Sequence, residues 1–489
     1  MLERVTPESV GISSGNILKF VKKLEKRGSK THGILIARYG KIIYESYYKP
    51  YTVDSLNRMY SQTKSYVSIA IGLLREEGKL SLSDKIVKFF PEKSNPDIEY
   101  LKDQTIEDML LMSTVGGPAG WFGVSEKDRT KHYLCSKRET HPSRTNWHYD
   151  STGSQVLSSL VEKLSGKSLF DYLNEKIFTH LGTFKNAKIL KAPNGDSWGD
   201  SALICTLRDM YSVGQLLLDN GRYEGKQLIP EDYVKRSTSK IVDNREIHES
   251  TYHQGYGYQI WRTIGGGFAF VGMGDQLTVC FPNGIVFCCV CDNQFNSAIR
   301  EMIFDALEEY IVDTARSTPL EEKRPIQEEL EKYASTRELY SLKGIEISPF
   351  IKSISGKTYI CRPNKMGIKW LSLKFTKEDE GVFLYENEQG KKEIPFGINK
   401  NVFGSFPQFG YSQEYGRTKT TDGSTYKDAV SLCALEEKKL LMYVQIIDQY
   451  LGNLTIHFGF KDDLLYATLD KNAENFLDEY QGTLVAKQK

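Results

Sequence analysis

The feature that most constrains this fold is a change of texture near residue 315. Ahead of it, amphipathic helical stretches ("GNILKFVKKLEKRG", "LSSLVEKLSGKSLFDYLNEKIF", "SAIREMIFDALEEYIVDTA") alternate with short β-rich ones ("HGILIARYGKIIYESY", "GGFAFVGMGDQLTVCFPNGIVFCCVCDN"). Strands at both ends of the segment predict an α and β layered domain, of the α+β class, over residues 1–315. Residues 316–348 then turn polar and charged, broken by Pro319 and Pro325, and read as a connector with a helix inside. From about Pro349 to residue 489, strands are separated by Gly, Asn and Asp turns ("GIKWLSLKF", "GVFLYENEQGKKEIPF", "NLTIHFGFKDDLLYATLD"), which predicts an antiparallel barrel-like or sandwich-like second domain. A chain of 489 residues exceeds what one hydrophobic core organises, so two domains also fit its length.

Composition removes several functions. Lys plus Arg (64) nearly cancels Asp plus Glu (63), and no basic block stands out, so neither nucleic acid nor an anionic membrane is an expected partner. The start, "MLERVTPESVGISSG", lacks a signal-peptide core, and the longest apolar runs, "VSIAIGLL" and "GIVFCCVC", are too short to span a bilayer, which predicts a cytoplasmic protein. The eight Cys reach C-x-x-C spacing only within the strand-like run "CCVC" (residues 288–291), where no two could bridge, and are expected to be reduced, buried thiols. No His forms an H-x-x-x-H pair, so no metal is expected, and no other cofactor is called for.

The chemistry has to be chosen from look-alikes. "GISSG" at Gly11–Gly15 matches the nucleophile-elbow pattern, but no buried strand precedes it, and Ser13 or Ser14 is better explained as a helix N-cap. Ser-x-x-Lys occurs four times, at Ser46/Lys49, Ser61/Lys64, Ser237/Lys240 and Ser424/Lys427. Only in "RMYSQTKSYVSIAIGLLREEG" does the pair open a long apolar helix, with Gly78 as its C-cap. Ser61 then stands in a first turn, where free N–H groups and the helix dipole favour an anion, and Lys64 lies one turn on along the same face. A lysine serves as a base once burial beside a cation or phenol lowers its pKa from about 10.4. Downstream, "NWHYDSTG" places Tyr149 and Ser151 in a turn ahead of another helix, where a phenol can project into a cleft.

The succession "YSQTK", "LLMSTVGG", "NWHYDSTG", "ALICTLRDMYSVGQLLLDNGRYEGKQLI", "YGYQIW" and "FVGMGDQLTVCFPNGIVFCCVCDN" resembles the serine hydrolase family of class C β-lactamases, D-Ala-D-Ala carboxypeptidases, esterases and 6-aminohexanoate-dimer hydrolases, over roughly the first 315 residues. The resemblance implies a β-lactamase/penicillin-binding-protein-like fold: an antiparallel sheet flanked by helices, with an all-helical lobe. It also implies that Ser61 is the acylated nucleophile, Lys64 its base and Tyr149 the general acid/base. Ser151 would hydrogen-bond into the Lys64 network. The N–H groups of Ser61 and Met273 would form the oxyanion hole, with Gly272 letting the strand approach.

In the family's cleft-bordering motif, Phe270 and Val271 replace the cationic and hydroxyl residues. An apolar pair supplies no charge-assisted contact for a substrate carboxylate, which favours an esterase or amidase on a small-molecule substrate over a β-lactamase or D-amino-acid peptidase. A non-catalytic binding protein would be expected to lack one of Ser61, Lys64 and Tyr149. Further substrate-facing candidates are Trp121, His148, Trp198, Tyr256 and Asp275, which lie in stretches expected to border the cleft.

Overall fold

In the computed structural model, described for residues 3–489 except 119, 121–123, 246–249, 295, 346–348, 411, 413, 416–422 and 474–479, the chain divides into two units. The first comprises Met1–Glu338 with Glu414–Gly416, the second Leu339–Gln413 with Arg417–Lys489. The first is built on strands β1 (Thr31–Arg38), β2 (Lys41–Tyr47), β3 (Trp261–Arg262), β4 (Phe268–Gly272), β5 (Gln276–Phe281) and β6 (Ile285–Cys291), in the order β2-β1-β6-β5-β4-β3 with every neighbour antiparallel. The chain therefore supplies the sheet from both ends of the segment and inserts the helical lobe between β2 and β3.

Its principal helices are α1 (Ser14–Lys26), α2 (Thr63–Glu76), α3 (Ser151–Ser165), α4 (Leu207–Leu218), α5 (Ser297–Leu307) and α6 (Arg324–Ser335). Alternation along the strands sorts the core into two layers. Leu35, Ala37, Cys288 and Val290 point to the side of α2, α3 and α4, while Ile34, Ile36, Phe287 and Cys289 point to the side of α1 and α5. Because β1 and β6 are covered on both faces, the middle of β1 (residues 33–37) and all of β6 read as unbroken apolar runs, and "CCVC" is a central strand. Each fully buried Leu, Ile or Phe contributes about 1.5–3 kcal/mol.

Helix α1 differs in detail from its sequence reading. It starts at Ser14, and the Glu8 carboxylate takes the Ser14 N–H (2.7 Å) and hydroxyl (2.8 Å), so a side chain from outside the helix caps it. Helix α6, inside the stretch expected to be a connector, packs in the first unit against α1 and β2.

The second unit contains β7 (Tyr359–Cys361), β8 (Trp370–Phe375), β9 (Glu380–Asn387), β10 (Gly390–Ile398), β11 (Val402–Phe409), β12 (Thr425–Glu436), β13 (Lys439–Ile446), β14 (Gly452–Lys461), β15 (Leu464–Ala473) and β16 (Gly482–Gln488). They form one sheet in the order β10-β9-β8-β7-β16-β15-β14-β13-β12-β11. The sheet returns on itself where β10 pairs in parallel with β12, at Gly397↔Ser431 and Ile398↔Leu432. Of the two expected architectures, the barrel is the one formed.

All eight cysteines are free thiols; six are buried, while Cys135 and Cys361 are part-exposed, contrary to the expectation of full burial. Among the described residues no helix is long and apolar enough to cross a membrane.

Candidate active site

The approach to Ser61 is fixed before the helix begins. Arg58 is buried, its guanidinium stacked between the rings of Tyr60 (4.4 Å) and Trp198 (4.3 Å) and donating to the Ser201 carbonyl (2.8 Å) and hydroxyl (3.0 Å). The Met59 N–H donates to the Leu203 carbonyl at 2.7 Å. Tyr60, next in line, has φ +48°, the left-handed region that side chains rarely adopt and that clusters at functional sites. The chain then makes one 3-10 turn, Tyr60–Gln62, and enters α2. Strand β4 closes the other side. A Cβ on Gly272 would lie 2.2 Å from the Met59 carbonyl oxygen, so only glycine lets the strand pass this close.

Lys64 is only 2% exposed. Its ammonium donates to Ser61 Oγ at 3.0 Å and to the Asp200 carbonyl at 2.6 Å, and lies 5.0 Å from the centroid of the Tyr149 ring. The carbonyl holds the Lys64 nitrogen within 3.0 Å of the Ser61 hydroxyl, a distance across which a proton can pass between the two.

Tyr149 stands in the loop before α3, 38% exposed, with its ring stacked on Trp261 at 5.8 Å. The next residue, Asp150, anchors that loop. Its buried carboxylate accepts from Thr114 Oγ1 (2.9 Å), Tyr133 OH (3.1 Å), Thr152 Oγ1 (2.8 Å) and the Gly153 N–H (2.8 Å), the last capping α3. The Met112 carbonyl takes the N–H of His148 at 3.1 Å. "LLMSTVGG" thus holds "NWHYDSTG" in place.

Ser61, Tyr149, Trp261, Val271, Gly272 and Met273 line a cavity of about 460 Å3. Of the apolar pair in β4, Val271 faces this cavity, whereas Phe270 is buried on the opposite face against Tyr66. The cavity is not without a cation. Arg300, on α5, lines it with its side chain 21% exposed, donating through Nε to Asp275 Oδ1 (2.6 Å) and through Nη2 to the Gly272 carbonyl (3.3 Å). Sequence reasoning missed Arg300 and Trp261. The available signal for the first was a lone arginine among the apolar residues of "SAIREMIF".

The remaining expected residues divide. Ser151 opens α3 beside Tyr149, but the two hydrogen bonds of Lys64 run to Ser61 and Asp200, and Ser151 makes neither. His148 bonds Thr114 Oγ1 at 3.1 Å, and burial lowers its pKa, with Asp150 opposing. Trp198 does not border the cleft: it is fully buried between Arg58 and Arg129. Tyr256 is likewise 1% exposed, packed edge-on against Trp147 and Trp261. Asp275 is turned inward, 1% exposed, onto Arg300 and Asn293, so it does not offer its charge to a substrate. Burial raises its pKa, while Arg300 pulls it back. Trp121 lies outside the described residues. Among the described residues no cluster of His, Cys, Asp and Glu has metal-site geometry.

The Beta-lactamase family model matches residues 19–285. The chain is similar to a 6-aminohexanoate-dimer hydrolase of Paenarthrobacter ureafaciens, 22% identical over 220 residues, which are 42% of this chain and 56% of that protein. The chain thus spans little more than half the length of that relative. Among solved structures, a family VIII carboxylesterase superposes with TM-score 0.51 at 14% identity, covering 63% of this chain and 99% of its own. SurE with D-Leu superposes with TM-score 0.51 at 13% identity, covering 85% of this chain and 96% of its own. At these identities the superpositions establish the fold.

Proposed function

This chain belongs to the beta-lactamase family, and from that premise we propose that it is a serine hydrolase that cleaves an ester or amide bond through an acyl-enzyme on Ser61. The observation that carries the reading is the 3.0 Å hydrogen bond from the buried Lys64 ammonium to Ser61 Oγ, with Tyr149 over the same ammonium. With Lys64 as the neutral amine, its nitrogen takes the Oγ proton as Oγ attacks the carbonyl carbon, the ammonium so formed replaces the proton that Tyr149 gives away, and the N–H groups of Ser61 and Met273 stabilise the tetrahedral oxyanion. The bond to the alcohol or amine then breaks, and Tyr149 protonates the departing group. Water attacks the ester on Ser61, the carboxylic acid leaves, and the proton returns to Oγ. An uncharged acyl group suits Val271 in the wall, and the Asp275–Arg300 pair leaves the cavity electrically balanced.

The test is intact-mass detection of adducts with a fluorophosphonate and with penicillin, on wild type and on Ser61→Ala, followed by turnover of p-nitrophenyl esters. A fluorophosphonate adduct on wild type that is absent from Ser61→Ala is the expected result. No adduct on wild type sinks the enzyme reading, and a stable penicillin adduct moves the assignment to the β-lactam-recognising members of the family.

A further inference from the structure

Beside the nucleophile's cavity lies a second one, of about 480 Å3, lined by Trp147, His148, Tyr149, Asn244, His253 and Trp261 among others. The two cavities share Tyr149 and Trp261, whose stacked rings form a common wall. The walls are flat π surfaces: His253 stacks on Trp261 at 4.9 Å, and Trp147 meets Trp261 edge-on at 5.8 Å. Of its charged lining residues, Arg245 and Asp243 pair with each other at 2.5 Å, Asp243 also meeting Lys240 at 3.5 Å, and burial disfavours the protonated form of His148.

In the lining of this cavity, two polar groups are left over among the described residues. Asn244 is 3% exposed, and among the described residues neither its amide nitrogen nor its amide oxygen has a hydrogen-bond partner; the Trp147 indole N–H is buried and likewise finds none among them. A buried donor or acceptor left unmade costs free energy, so such groups in a cavity wall are ones that a bound molecule can satisfy. The set is specific: Asn244 offers one acceptor and a donor, Trp147 a second donor, and both belong to a slot with aromatic faces.

We propose that this cavity is an amide-binding subsite, which takes a neutral secondary amide carried by the substrate a short spacer away from the bond cleaved at Ser61. The ligand's carbonyl receives the Trp147 and Asn244 N–H groups, and its N–H donates to the Asn244 oxygen, while the amide plane lies along the aromatic wall. Asp243 already meets Arg245, so the groups left for the ligand are the neutral ones of Asn244 and Trp147. The inference rests on the hydrolase reading and narrows it to substrates with a second amide, such as linear oligoamides and N-acylamino esters.

The experiment compares kcat/KM on the full chain for two matched pairs. Amide on the acyl side is tested with p-nitrophenyl 4-acetamidobutanoate against p-nitrophenyl heptanoate, and amide on the alcohol side with 3-acetamidopropyl butanoate against hexyl butanoate. In one pair the amide ester is expected to be preferred by about tenfold, the worth of one or two well-formed hydrogen bonds. That ratio is expected to fall towards one in Asn244→Leu, Asn244→Asp and Trp147→Phe, with fluorophosphonate labelling of Ser61 reporting that each variant is folded. Ratios near one in both pairs on wild type, or ratios unchanged in all folded variants, overturn the subsite. If the hydrocarbon esters turn over through Ser61 while the ratios stay near one, only the subsite falls. If Ser61 takes no label and nothing turns over, both readings fall.

Discussion

The Thr114 hydroxyl donates to Asp150 Oδ2 at 2.9 Å, joining positions 36 residues apart, and Asp150 directly follows Tyr149. The Tyr149 phenol, the proposed proton shuttle, is therefore positioned by the buried carboxylate of its neighbour. Asp150→Ala removes an acceptor shared by Thr114, Tyr133, Thr152 and the Gly153 N–H; His148 and Gln104 still reach Thr114 and Tyr133, but the cap of α3 is lost, and the change is expected to cost about 2 kcal/mol of stability. In folded protein it is expected to slow fluorophosphonate labelling, whereas Thr114→Val does so more mildly. Labelling rates equal to wild type in both would show that the loop does not need this anchor.

Lys64 lies between Ser61 Oγ and the Asp200 carbonyl. Lys64→Ala is expected to lower kcat/KM on p-nitrophenyl esters by about a thousandfold, since a serine without its base is a weak nucleophile. Steady-state kinetics beside a thermal melt separates this from unfolding.

Gly272→Ala forces a methyl to within 2.2 Å of the Met59 carbonyl oxygen, which is backbone and cannot swing away. The strand has to retreat from Ser61, so activity is expected to fall about a hundredfold, the scale of a misplaced oxyanion donor. Activity near wild type would mean that β4 does not set the geometry of acylation.

His32, on β1, is buried and stacked on Tyr51 at 4.3 Å, and burial depresses its pKa to about 3. The unfolded chain takes up its proton near pH 6.5 while the folded chain does not, so stability falls as pH drops from 6.5 towards 3, by up to about 1.4 kcal/mol per pH unit. His32→Gln is expected to flatten this acid limb in denaturant titrations run at several pH values.

In the barrel the sign reverses. Asp428, on β12, is 1% exposed, and burial raises its pKa to about 7, with the backbone N–H groups of Gly404 and Asp428 holding it back. The folded state keeps this proton where the unfolded state has lost it, so the stabilisation present below pH 3.8 disappears as pH rises through about 7. Asp428→Asn is expected to melt higher than wild type at pH 8 and to show no advantage at pH 4.

Much of the site was legible because its partners are local or carry distinctive context. Ser61 and Lys64 share a helix face by spacing, and Tyr149 announces itself in a loop between helices. What the sequence concealed depends on distant segments. Trp198 and Tyr256 read equally well as cleft or core, and they are core because Arg58 and Arg129 enclose one and Trp147 and Trp261 the other. Asp275 could face a substrate or a turn until Arg300 captures it from α5. The choice of barrel over sandwich hangs on the short parallel pairing of β10 with β12, which no local pattern encodes.

The seat beneath Ser61 bears on how portable such a site is. Elsewhere in this chain, Ser46 gives its hydroxyl to the Ala334 carbonyl and Ser237 to that of Val234, although each is followed by a lysine at the same spacing. The letters are shared; the left-handed Tyr60, the stacked Arg58 and the bare backbone of Gly272 are not. Grafting Ser-x-x-Lys onto a foreign helix would move the lettering and leave the seat behind, so the transferable module for an engineer is the approach turn together with the strand that presses on it.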